Sequence, residues 1–221
     1  MRRICYENGL SLVLFGLFVL CVVGQSVAGH YHYNAERHAH QQPPVRYRDY
    51  LGTGHFLEAL GENWESEFLQ MAAYVLFTVF LRQKGSPESK PLEGQEAVDK
   101  DPRHSPAGPQ APWPVRRGGV WLTVYAHSLT IALFLLFVAS FVLHAVGGVQ
   151  AYNADQLVHG QAPESLVGYL RSSTFWFESL QNWQSEFLSL AVMIVLSVFL
   201  RQRGSPESKP VHHPYGETGR E

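Results

Sequence analysis

A chain of 221 residues with 46% apolar residues, 16% charged residues and a formal net charge of −2 has no concentrated basic surface, so nucleic acid is not an expected partner. Its two cysteines, Cys5 and Cys21, lack the spacing of a disulfide framework, a zinc knuckle or a thiol redox motif. Bulk composition carries no membrane signal, but the distribution of apolar residues does.

Taken in chain order, the first element is an almost uncharged run over residues 9–28, long enough to cross a bilayer core of about 30 Å as a helix. Arg2 and Arg3 before it and Ser26-Val27-Ala28 at its end imitate a cleavable signal, yet a related internal run favours a retained span. A polar loop is expected over 29–62, with His30, His32, His38 and His40 near its start. The apolar run 68–81 is short for a span. Starting at Asn63 as an N-cap, however, a helix reaches Arg82 in about 20 residues, with Trp64 at one interface and Arg82 and Lys84 at the other. Gly85 then suits a left-handed cap and Pro87 stops continuation. Residues 92–119, rich in Pro, Gly and charge, read as a flexible linker. The apolar run 120–146 is a further span, and Asn182 to Arg201 repeats the short second helix.

These elements repeat at an offset of 119 residues. Asn63-Trp64-Glu65-Ser66-Glu67-Phe68-Leu69 returns as Asn182-Trp183-Gln184-Ser185-Glu186-Phe187-Leu188, and over 63–91 19 of 29 positions are identical to 182–210. Tyr33-Asn34-Ala35-Glu36 falls on Tyr152-Asn153-Ala154-Asp155 without a gap. The expected fold is therefore all-α and integral to the membrane: four transmembrane helices arranged as two duplicated parallel-repeat hairpins. Repeat unit 1 covers 1–91, the linker 92–119, repeat unit 2 120–210 and a C-terminal tail 211–221.

Lys and Arg concentrate in the N-terminal tail, the linker and the C-terminal tail. The positive-inside rule thus places both termini in the cytoplasm and 29–62 and 147–182 outside. Trp64, Trp176 and Trp183 are expected at the outer interface, and Trp113 and Trp121 at the inner one.

Candidate interaction residues are Trp64, Glu67, Trp183 and Glu186 in the repeated NWxSEFL element, and Glu88, Lys90, Glu207 and Lys209 in the repeated GSPESKP element. Carboxylates at membrane depth mark ion pathways, although acidic residues in a first helical turn also follow from the helix dipole. No catalytic residue, cofactor or metal site is expected. The histidine-rich stretch is mostly missing from the second half, where Val149, Ala151 and Leu157 stand and only His159 matches His40. His127 and His144 lack a facing histidine for haem. The expectation is a non-enzymatic protein in contact with the lipid bilayer, assembling with itself or a protein partner through its duplicated cytoplasmic segments. The alternative is a small transporter or channel component with Glu67 and Glu186 at its outer mouth.

The combined motifs YNA(E/D), NWxSEFL and LRQxGSPESKP resemble an uncharacterised family of bacterial integral membrane proteins, classed as a domain of unknown function. That resemblance implies a bacterial inner-membrane location and a multi-span helical fold, and supplies no established site residues.

Overall fold

A computed structural model describes residues 2–104, 108 and 110–219. Parts of the expected linker at 105–107 and 109, and the terminal residues 1, 220 and 221, lie outside the described residues. Among the described residues the α-helices are α1 (Arg2–Glu7), α2 (Gly9–Ala39), α3 (Tyr47–Tyr50), α4 (Gly54–Phe80), α5 (Trp113–Arg117), α6 (Gly119–Ala126), α7 (Ser128–Val158), α8 (Leu166–Tyr169) and α9 (Ser173–Phe199), and no strand is present. A 3₁₀ turn, Ala97–Asp99, lies among the described residues of the linker region.

Three helices, α2, α7 and α9, are long and apolar enough to cross a membrane. At about 1.5 Å per residue, the 31 residues of α2 exceed a bilayer core of roughly 30 Å. Leu10, Phe15, Leu20, Leu129, Leu135, Leu188 and Val195 are all exposed along these helices. An apolar surface of that extent is stable against lipid chains and not against water. Helix α4 matches α9 at 27 residues. It is less apolar because Glu58, Glu62, Glu65 and Glu67 stand in its first half.

Two expectations need correction. The polar stretch after each long span is mostly helix: α2 continues to Ala39 and α7 to Val158. Residues 29–39 contain no proline and a single glycine, so the established helix propagates through them at little cost. It stops where Gln41 and Gly160 take positive φ, followed by Pro43-Pro44 and Pro163. Asn63 and Asn182 are also not N-caps. The Thr53 hydroxyl accepts from Phe56 N and the Ser172 hydroxyl from Phe175 N, so the second helices begin about nine residues earlier. Asn182 sits inside α9 and bonds back to Glu178 O at 3.3 Å.

The chain divides into two compact units, each drawing on both halves of the sequence. The first comprises residues 1–62 and 141–176. Its core sets Ala145, Tyr169 and Phe175 against Phe141, Val149, Tyr152 and Leu170. Here α4 and α7 approach backbone to backbone through Gly54, Gly61 and Gly147. A Cβ on Gly61 would strike the His144 backbone, and one on Gly147 the Glu58 backbone. By contrast, a Cβ on Gly16 or Gly24 would meet nothing within 4 Å.

The turns of this unit are pinned by asparagine. Asn34 Nδ2 donates to Val45 O while its Oδ1 accepts from Val45 N, at 3.0 and 2.8 Å. Asn153 makes the same pair of bonds to Glu164, at 2.9 and 2.7 Å. Tyr50 and Tyr169, buried to 1% and 0% exposure, lie over Gly29 and Gly148.

The second unit comprises 63–140 and 177–221. It holds the later parts of α4 and α9, the helices α5 and α6, and the C-terminal segment. Trp113 and Trp121 meet edge to face with centroids 5.3 Å apart, and the Arg117 guanidinium lies 5.3 Å over the Trp113 ring.

Candidate functional site

Within the second unit, α4 and α9 present a polar seam on otherwise apolar helices. Glu65, wholly buried, accepts a hydrogen bond from the Trp183 indole N–H at 2.9 Å. Two residues on, the carboxyl groups of Glu67 and Glu186 lie close enough to interact with each other. Gln70 Nε2 donates to Glu186 O at 3.0 Å and closes the seam. A single α-helical face brings positions three and four apart together, so Trp183 and Glu186 share one side of α9. The Trp183 ring also meets Phe137 edge to face at 6.4 Å. Of the four NWxSEFL candidates, Glu67, Trp183 and Glu186 fall in this seam, and Trp64 is half-buried in α4.

Further along the same two helices lies a cavity of about 330 Å³, walled by Tyr74, Phe77 and Leu81 of the α4 side and Phe187, Leu190 and Ile194 of α9. Its lining is mainly apolar, with Arg82, Gln83 and Glu88 among the polar members.

The GSPESKP elements have a structural account that capping alone lacked. After α4, Ser86 Oγ accepts from Glu88 N, and Ser89 Oγ accepts from Gln83 N and donates to Lys90 O. After α9, Ser205, Glu207, Ser208, Gln202 and Lys209 repeat every one of these bonds. Gly85 and Gly204 hold φ of 83° and 87°, which a side chain would oppose. The serines therefore serve the turn itself.

The two lysines diverge. Lys90 Nζ pairs with Asp99 Oδ1 at 2.6 Å. That hydrogen bond, with a second from Glu96 N, holds the Asp99 carboxyl below the usual carboxylate range. Lys209 is 2% exposed, and its ammonium donates to the carbonyls of Pro214, Tyr215 and Glu217 at 3.1, 3.0 and 3.0 Å. Burial, with the nearby Arg201, lowers its pKa. The C-terminal segment this lysine holds returns to the first element: Gly85 N donates to Thr218 Oγ1 and Gly219 N to Ser86 O.

In the first unit a second group of polar side chains was missed by sequence. Tyr169 Oη donates to Glu58 Oε1 at 3.1 Å, and the buried His144 ring stacks on Phe175 at 4.7 Å. His144 faces an aromatic ring here, the role of a core histidine. Glu58 had no repeat partner to flag it, since Phe177 stands at the matching position. Trp176, expected at the outer interface, donates its indole N–H to Leu170 O.

The profile of a domain of unknown function, DUF6766, matches residues 1–220, and the chain belongs to that family. Neither the curated proteins nor the solved structures contain a match to it.

Proposed function

We propose that this DUF6766 protein is a four-span transporter or channel component of the bacterial inner membrane, and that the Glu67–Glu186 pair carries protons through it. The reading takes α4 as the fourth span and the chain as two duplicated hairpins with both termini in the cytoplasm. Four observations support the duplication: the Asn34 and Asn153 brackets, the Tyr50 and Tyr169 insertions, the Thr53 and Ser172 caps, and the paired serine turns, all spaced by 119 positions. The Trp113, Trp121 and Arg117 cluster has the aromatic and basic character of a cytoplasmic interface.

The observation that carries the functional reading is the meeting of Glu67 with Glu186, equivalent positions of the repeat, on helices that bear long apolar surfaces. Two ionised carboxylates this close repel, and sharing one proton between them relieves that repulsion. The pair is therefore a place where a proton is held and from which it can pass. Acidic side chains in membrane helices are costly to keep, which favours a working role for them. Assembly through the GSPESKP elements is less favoured, because their serines and Lys209 are spent on internal bonds.

The test is proton flux in vesicles containing the full chain, driven by a potassium diffusion potential and read by a trapped pH dye. Flux in the parent that is lost in the Glu67→Gln, Glu186→Gln double variant supports the proposal. Equal flux in both proteins, or none above empty vesicles, overturns it. Reporter fusions after His40, Lys100, Gly160 and Glu221 should give out, in, out, in.

A further inference from the structure

We propose that His32, Glu36 and His55 form a binding site for a divalent transition-metal ion of the zinc class. This site is independent of the carboxyl pair and lies wholly within the first unit. One ring nitrogen of each histidine and one Glu36 oxygen all lie within 4.8 Å of one another. His32 and Glu36 stand four apart on α2, which places them on one face, with His32 Nδ1 3.7 Å from Glu36 Oε1. His55 comes from the first turn of α4, and its ring is stacked on that of His32 with centroids 6.1 Å apart.

Two imidazoles and a carboxylate are the donor set of an open, three-ligand zinc site. Tetrahedral coordination with bonds of about 2.0–2.2 Å needs donor atoms roughly 3.4 Å apart. His32 and Glu36 are exposed, so rotation of their side chains closes the gap from the present spacing without moving backbone.

The surroundings hold the third ligand in place, as metal sites require. Tyr50 Oη lies 3.2 Å from His55 Nδ1, and Tyr50 itself is buried against Gly29. The Tyr33 ring lies 5.3 Å from His55 and forms a wall. A cavity of about 550 Å³ is lined by Glu36 and His55, giving a fourth ligand, water or a small anion, room to enter. Arg37 also lines this cavity, but its Nε donates to Pro43 O at 2.7 Å.

The other histidines of this stretch serve different ends. His30 Nε2 lies 2.9 Å from Val45 O and from Asn34 Nδ2, which commits it to the turn. His40 meets His159 edge to face. The second half of the chain has Ala151, Asp155 and Thr174 at the positions of the three ligands, so one ion per chain is expected.

The experiment is calorimetric titration of the full-length protein in detergent with zinc ions, with cobalt absorption reporting coordination geometry. One ion per chain with a tetrahedral cobalt spectrum is expected. His32→Ala, which alters an exposed side chain and leaves the fold intact, should weaken binding at least about tenfold, as should His55→Ala, and Tyr50→Phe by roughly tenfold through the lost hydroxyl. His40→Ala and His212→Ala should bind as the parent does. Parent-like affinity in His32→Ala, loss only in His40→Ala or His212→Ala, or no saturable binding in the parent would each overturn the proposal.

Discussion

Tyr169 lies so closely over Gly148 that a methyl group in place of the glycine hydrogen would strike its hydroxyl and its ring. Tyr50 covers Gly29 in the same way. Gly148→Ala and Gly29→Ala should therefore destabilise the protein by about 1–3 kcal/mol each, because overpacking outweighs the better helix propensity of alanine, about 1 kcal/mol. Gly16→Ala and Gly24→Ala, where nothing lies within 4 Å, should be neutral or stabilising. Thermal unfolding in detergent separates the two pairs. Equal melting temperatures for all four variants would show that the tyrosines do not fix these turns.

The Trp183 to Glu65 bond predicts a different kind of loss. Trp183→Phe keeps an aromatic ring beside Phe137 but removes the indole donor to a wholly buried carboxyl group. Leaving a buried hydrogen-bond partner unsatisfied costs about 1–3 kcal/mol, and that is the expected loss. In a Glu65→Leu background, where the acceptor is gone, the same Trp183→Phe change should cost less. Additive effects of the two substitutions would argue against the bond.

Much of this architecture is legible in the sequence, and the reasons are local. The run 9–28 appears within α2, the run 120–146 appears as α6 and the first part of α7 with a break at His127, and the identity of 63–91 with 182–210 marks positions whose side chains close the same turns. The starts of the second helices were misplaced because Asn63 and Asn182 are good N-cap residues beside an apolar run, while the hydroxyls that do the capping, Thr53 and Ser172, precede a stretch without a clear periodic signal. Propensity extended α2 through a histidine-rich segment that polarity suggested was loop. The Glu67 to Glu186 contact and the grouping of His55 with His32 and Glu36 are tertiary facts: 119 and 23 positions separate the partners, and nothing in the spacing specifies which side chains meet.

The pairing of Lys90 with Asp99 predicts a pH response in the linker region. Asp99 has its pKa lowered by that bond, so its contribution is fully present above the ordinary carboxylate value and is lost as pH falls through the depressed value. The 3₁₀ turn Ala97–Asp99 should stay protected from protease through mildly acidic pH and open only in more acidic solution. Asp99→Asn should open it at every pH and remove the dependence. A parent protein whose cleavage at this turn shows the same pH profile as Asp99→Asn would contradict the pairing.

Lys209 allows the sharpest comparison, because Lys90 occupies the matching position with a different partner. Its ammonium serves three carbonyls at once, and Thr218 and Gly219 from the segment so gathered bond to the turn at Gly85 and Ser86. Replacing it by methionine removes a buried charge, which relieves desolvation, but strands three carbonyls, and the unmet acceptors dominate. Lys209→Met should raise amide exchange at Thr218 and Gly219 by at least about tenfold. Exchange at Gly85, whose own donor reaches Thr218, should rise with it. Lys209→Arg should give an intermediate rate, since a planar guanidinium cannot reproduce three bonds from one nitrogen. Lys90→Met should leave these amides slow and loosen only the segment around Asp99. Equal exchange at Thr218, Gly219 and Gly85 in the parent and in Lys209→Met would show that the C-terminal segment is held by something other than this lysine.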